Sequence, residues 1–272
     1  MITPFEAGWL KVFWQCLWGS FSKSLITFRS NAPWLYFHNV ESINMMKKIT
    51  RENTGHTSEE WKDGFLDLRK LKIIRFINKK RLDATGFLER INKNAVVCDA
   101  GCGDLTLLGQ LKTFGYKNLY GFDIDEELIN SSSPTLKNSF SAVKVGSACQ
   151  IPFDDEFFDS VIIWGILHHI DPNDYKTVFS ELSRVLKPKG ELFIVEPYPF
   201  FIWKTLSIIA GVLSFFSLPN CKNIHTVLSS EDKLLKNFSN HRKEIQNLIA
   251  KQYSQICSKW HTGFWIFRGV KQ

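Results

Sequence analysis

Between residues 95 and 197 short apolar runs alternate with stretches of helical spacing, and this alternation constrains the chain more than any other feature. Runs at 95–99, 119–122, 143–145, 160–164 and 191–195 read as buried strands. Stretches at 105–114, 126–130 and 175–186 read as helices, the first stopped by Gly115 and the last ahead of Pro188. Parallel neighbours cannot be joined by tight turns, so strands separated by helices at this spacing predict an α/β domain with helices on both faces of a parallel sheet. In such sheets the chemistry gathers beyond the carboxyl ends of the strands.

At the first of those ends stands Asp99-Ala100-Gly101-Cys102-Gly103-Asp104. Glycines between a strand and a helix let the backbone approach a ligand, and the helix N-terminus offers unpaired N–H groups. Asp123 ends the next strand 20 residues after Gly103, the place for a carboxylate that accepts ribose hydroxyls. A dinucleotide fingerprint would want glycine at position 106, where Thr106 stands, and has no use for Asp99 beside a pyrophosphate. An acid-rich pocket suits a nucleoside carrying a sulfonium and an ammonium group.

These residues carry a family resemblance. Val96-Val97-Cys98-Asp99-Ala100-Gly101-Cys102-Gly103 resembles motif I of class I S-adenosylmethionine-dependent methyltransferases, and Gly121-Phe122-Asp123-Ile124-Asp125 resembles their second acidic motif. Gly146-Ser147-Ala148-Cys149-Gln150-Ile151-Pro152-Phe153 is similar to the adenine-side motif. Phe158-Asp159-Ser160-Val161-Ile162-Ile163 through Leu167-His168-His169 is similar to the fourth-strand motif, and Leu186-Lys187-Pro188-Lys189-Gly190-Glu191-Leu192 to the turn into the fifth strand. The resemblance, to the methyltransferase type 11-like enzymes of small molecules and lipids, implies S-adenosylmethionine as cofactor. It also implies a Rossmann-like doubly wound seven-stranded sheet with a C-terminal antiparallel hairpin. By the same resemblance Asp99, Ala100, Gly101, Cys102 and Gly103 surround the methionine part, and Asp123 holds the ribose. Ile124 packs on the adenine face, Ser147 and the Ala148 N–H meet the adenine edge, and Trp164 and Gly165 line the methionine side. Two positions depart from the pattern: Ser147 stands where many members have Asp, and Leu105 replaces a frequent third glycine, which asks for a different loop path.

Methyl transfer from a sulfonium is an in-line displacement that gains most from holding nucleophile and methyl aligned. A base is needed where the acceptor must lose a proton. His168 and His169, after the fourth strand, are the catalytic candidates, with packing or loop positioning as the alternative. Glu196 and Asp171, at strand or loop ends, read as capping or loop-positioning groups. Six cysteines are scattered without a CxxC pair or zinc-ligand spacing, so no metal site and no disulfide scaffold is expected.

The flanks set the expected acceptor. The net charge of +7 divides into +6 over residues 1–90, −6 over 91–198 and +7 over 199–272. The basic ends form no nucleic-acid motif, so no nucleic-acid partner is expected. They are rich in aromatics: Trp9, Leu10, Phe13, Trp14, Leu17, Trp18 and Phe21 recur at helical spacing. A second periodic stretch (Trp61, Phe65, Leu68, Leu71, Ile74) starts at the N-cap candidate Ser58 and runs to the neighbourhood of Ile77. Residues 200–218 are apolar but for Lys204, close to the ~20 residues of a membrane crossing. A crossing would strand the closing hairpin, read at 249–256 and 263–270, on the far side. The segment is therefore expected to fold over the site or dip into one leaflet, and 229–247 to form one or two amphipathic helices.

The expected organisation is an aromatic helical extension over 1–58 and a methyltransferase domain over 59–272 with an apolar helical insertion at about 199–248. The expected function is methyl transfer to a small-molecule or lipid-like acceptor that is hydrophobic or membrane-associated. A soluble small molecule or sugar, or a catalytically silent scaffold, are the alternatives. With no secretory signal read at the N-terminus, the expected location is the cytoplasm, a peripheral position at the membrane surface being left open.

Overall fold

The computed structural model describes residues 72–215, 221–261 and 263–272. Seven strands form one sheet: β1 (Val96–Ala100), β2 (Asn118–Asp123), β3 (Ala142–Val145), β4 (Phe158–Trp164), β5 (Leu186–Pro197), β6 (Tyr253–His261) and β7 (Phe264–Lys271). Their order is β3-β2-β1-β4-β5-β7-β6. The first five are parallel, and β7 runs antiparallel to both neighbours. The order reverses at β1, so β1 and β4 run side by side while their outgoing loops turn opposite ways, which opens a crevice at their carboxyl ends.

In chain order the described helices are α1 (Lys72–Thr85), α2 (Phe87–Arg90), α3 (Thr106–Thr113), α4 (Glu126–Asn130), α5 (Pro134–Lys137), α6 (Tyr175–Val185), α7 (Phe200–Phe215), α8 (Cys221–Ser230) and α9 (Asp232–Ala250). Strand alternation divides the core in two. Val161 and Ile163 of β4 with Leu192 and Ile194 of β5 face α6 and α9 through Phe179, Leu182, Phe238 and Ile245. Ile162 and Phe193, one residue out of phase, face Leu82, Phe87, Leu108 and Leu111 on the other side. Helix α6 shows why it forms: Tyr175, Val178, Phe179, Leu182 and Val185 recur at three- and four-residue spacing and all are buried.

Two expectations change. The helix read to about Ile77 continues to Thr85, where Gly86 at φ 80° ends it; its expected start, 58–71, lies outside the described residues, as does the extension 1–58. Ile249 belongs to α9, not to the hairpin, because Leu235, Phe238, Ile245 and Ile249 make one buried helical stripe; β6 starts at Tyr253. The segment read as 229–247 falls into α8 and α9, and the apolar stretch forms α7 up to Phe215. No described helix is long and apolar enough to cross a membrane.

Leu105 takes φ 62°, a conformation glycine adopts without strain, and its side chain is fully buried. The left-handed backbone costs roughly 1–2 kcal/mol, and burying a leucine returns about 1.5–3 kcal/mol. The missing third glycine is absorbed as local strain. The sheet and its helices form one compact unit, Arg69–Trp203 with Asp232–Gln272; Lys204–Glu231 falls in a second.

Candidate functional site

Loops from the carboxyl ends of β1, β2 and β3 are tied together by backbone. The Gly101 and Cys102 N–H groups donate to Phe122 O at 2.8 and 2.9 Å. Gly103 N donates to Asp123 Oδ2 at 2.8 Å, Asp125 N to Asp123 Oδ1 at 2.9 Å, and Gly146 N to Asp123 O at 2.9 Å. Asp123 thus fastens the glycine loop to the next strand while each carboxylate oxygen keeps a second lone pair. Burial pushes its carboxyl up from the ordinary range, and the Asp125 and Gly103 N–H groups pull it back. Asp99, Ala100 and Cys102 are buried under this loop, and Gly101 and Gly103 adopt φ 74° and 49°. The Cys98 and Cys102 thiols are pushed up by burial and by Asp99, so neither offers a thiolate.

Beside Asp123, Ile124 is 53% exposed. A large apolar side chain left open next to a ribose-type acid fits the flat face of a purine. Ser147 and Ala148 follow β3, half-buried; the Ser147 hydroxyl accepts from Cys149 N at 3.1 Å and so shapes its own turn. That loop is clamped by a pair the sequence reading missed. Arg184 donates to Phe153 O and Ile151 O, both at 2.9 Å, and to Asp155 at 2.7 Å, while Glu181 binds Arg184 and accepts Ile151 N at 2.8 Å. The i,i+3 acid–base spacing on α6 was its only local signal.

At the end of β4, Gly165 N donates to Val195 O at 2.9 Å, φ is 68°, and a Cβ there would meet open space. Trp164 is half-buried beside it. The next residues are held by Glu196: its Oε1 accepts Ile166 N at 2.7 Å and Leu167 N at 2.8 Å, and its Oε2 lies 2.8 Å from His168 Nδ1. His169 is half-buried with its ring centre 4.1 Å from that of His168. The structure therefore brings the glycine loop, Asp123, Ile124, Ser147, Ala148, Trp164, Gly165 and both histidines to one edge of the sheet. It separates the histidines by role, since His168 is turned into the Glu196 pair.

Burial pushes the Glu196 carboxyl up to about 8 against the pull of the Leu167 and Ile166 N–H groups, and pushes the His168 imidazole down to about 3. Both are then neutral at pH 7, the carboxyl O–H donating to Nδ1. A carboxyl whose folded value lies above its ordinary 4.5 stabilises most at low pH, and that contribution is lost as pH rises from 4.5 through about 8. The stability advantage of wild type over Glu196→Gln, which does not titrate, is therefore expected to shrink across that window in melting temperatures taken at stepped pH. An advantage that grows there would contradict the neutral pair.

The residues fit the cofactor that the resemblance implies: an open apolar face at Ile124, a carboxylate with spare lone pairs at Asp123, and open space at Gly165. Residues 98–194 match the family described as methyltransferase domain. The chain is 31% identical over 124 residues to a demethylmenaquinone methyltransferase of Bacillus subtilis (strain 168), covering 44% of this chain and 52% of that one. It is 35% identical over 109 residues to a tRNA (carboxymethyluridine(34)-5-O)-methyltransferase of Arabidopsis thaliana, covering 40% of this chain and 25% of the other. The chain thus spans about half, or less, of the length of these curated relatives. Among solved structures, the PH0226 protein of Pyrococcus horikoshii OT3 superposes with TM-score 0.53 at 16% identity, covering 75% of this chain and 93% of that one, a likeness of fold.

Proposed function

We propose that this chain, a class I S-adenosylmethionine-dependent methyltransferase by its domain over residues 98–194, methylates a hydrophobic acceptor presented at a membrane surface. The observation that carries methyl transfer is the glycine loop fastened to Asp123 beside an exposed Ile124. S-adenosylmethionine supplies an electrophilic methyl on a sulfonium. Asp123 would accept the ribose hydroxyls, Ile124 would cover the adenine, and Ser147 with the Ala148 N–H would border its edge. Gly101 and Gly103, with Ala100 and Cys102 beneath, let the backbone approach the methionine part, whose ammonium group Asp99 attracts. Trp164 and Gly165 would flank the methyl.

His169 is the better placed of the two histidines to take a proton from the acceptor, because His168 serves Glu196. His168 and Glu196 act as positioning residues: through Ile166 N and Leu167 N they hold the loop that carries His169.

The hydrophobic acceptor is supported by α7. Phe201, Ile208, Val212 and Phe215 are 66, 55, 57 and 85% exposed and share one helical face at seven-, four- and three-residue steps. Such a stripe on a basic flank suits an anionic lipid surface. The quinone-type relative agrees with it. The tRNA named for the other relative is not carried over, since residues 91–198 bear a net −6 that would repel phosphates.

The test is incubation of the full chain with methyl-labelled cofactor and a lipid extract, followed by mass spectrometry, with flotation on vesicles containing phosphatidylserine at low salt. A labelled lipid product and vesicle binding are expected. Cofactor binding without either result would move the acceptor to the soluble class.

A further inference from the structure

Arg81 of α1 is a buried group that methyl transfer leaves without a task. It is 8% exposed, and its guanidinium carbon stands 3.6 Å from the centre of the Phe264 ring. Its Nη1 reaches Asn78 Oδ1 only at a stretched 3.4 Å, and Nε has no hydrogen-bond partner. Among the described residues no ion pair includes it. Arginine stays charged in proteins, and a buried charge without a counter-charge is strongly unfavourable. Burial pulls it down only to about 9, which leaves it protonated at pH 7.

Its place in the fold is specific. Phe264 opens β7 and is the register partner of Pro197, the last residue of β5, so Arg81 lies at the edge of the sheet that carries Gly165. β4 and β7 are two strand spacings apart, about 10 Å. Trp203 meets the Phe264 ring edge-on with centres 5.2 Å apart and donates from Nε1 to Gly263 O at 2.9 Å. Across the hairpin His261 is pushed down by burial and then by the charges of Lys259 and Arg81. A guanidinium with an unpartnered Nε–H, stacked on one aromatic and next to another, has the makings of an anion site with apolar walls.

We infer that Arg81, stacked on Phe264, receives an oxyanion of the methyl acceptor, which therefore joins an anionic oxygen to an apolar or aromatic body. The inference rests on the methyl-transfer reading and narrows its acceptor class. A neutral lipid would leave the guanidinium as it is in the free protein. A carboxylate, phosphate or phenolate would supply the missing charge and accept from Nε and Nη2 together.

The test uses 2-naphthoate and its neutral isostere 2-naphthamide as probes of the full chain, by calorimetry with and without S-adenosylhomocysteine. Wild type is expected to bind the naphthoate at least about tenfold more tightly than the amide. In Arg81→Met that ratio should fall to about one with S-adenosylhomocysteine affinity unchanged, and in Arg81→Lys it should stay between the two. Arg81→Met should also melt higher than wild type, because an uncompensated buried charge has been removed. Equal binding of the two probes by wild type, binding of neither, a preference that survives in Arg81→Met, or a lowered melting temperature in that variant would each overturn the inference. Failure of the methyl-transfer reading shows separately, as wild type that does not bind S-adenosylhomocysteine.

Discussion

Asp123→Ala is expected to lower affinity for S-adenosylhomocysteine by two to three orders of magnitude. The carboxylate has two duties. On the proposed reading its outer lone pairs would take the ribose hydroxyls, and its inner ones hold Gly103 N at 2.8 Å and Asp125 N at 2.9 Å. Each hydrogen bond to a charged group is worth about 1.5–3 kcal/mol, so losing both outer bonds corresponds to about 3–4 kcal/mol, allowing for incomplete additivity. Releasing the Gly103 N–H also loosens the loop that must lie against the ligand. Asp123→Asn, which keeps one carbonyl acceptor, should fall between wild type and alanine. Calorimetric titration of the three proteins decides it, and an alanine variant within threefold of wild type would remove Asp123 from the cofactor site.

Gly101→Ala should destabilise the domain by about 2–5 kcal/mol and abolish cofactor binding. The glycine sits at φ 74°, where a side chain costs roughly 1–2 kcal/mol. A Cβ built there would stand 2.4 Å from Ile166 Cγ2 and 3.2 Å from Ile166 Cβ, too near the branch point for the side chain to swing aside. Overpacking of this kind costs about 1–3 kcal/mol. Ile166 in turn hangs from Glu196 through its own N–H, so the strain spreads to the loop that carries both histidines. Urea unfolding should show the loss, and Gly101→Ala with Ile166→Ala should recover the steric part but not the backbone part. A single variant as stable as wild type would contradict the close approach.

How far the residues themselves announced this arrangement depended on how local each determinant is. The strands at 119–122 and 160–164 and the helix at 126–130 were legible because each is a short apolar run or amphipathic stretch with its own stop signal, and the structure places them within one or two residues. The glycine loop and Asp123 were legible because a strand, a turn and a helix N-terminus follow one another in the chain. Ile249 was misassigned because a short apolar run fits helix and strand alike until its neighbours at Ile245 and Phe238 are known to share its face. The Glu196–His168 pair, the Arg184 clamp and the Arg81–Phe264 stack were not legible. Their partners lie 28, about 30 and more than 180 residues apart in sequence, and only strand order brings them together.

Pro197 and Phe264 are register partners at the edge of the sheet, so the chain leaves β5 and enters β7 at points one strand spacing apart. Between them run α7, α8, α9 and β6, of which α9 returns to the core and β6 to the sheet. For a closed excursion the cost of added length grows only with the logarithm of that length. Helices α7 and α8 make no strand of the sheet, so this segment can be lengthened, shortened or grafted from another chain while β5 and β7 keep their register. On the proposed role of α7, acceptor preference would be free to diverge at little expense to the chemistry, and an exchange of residues 200–230 would be the natural route by which an engineer, or evolution, redirects it.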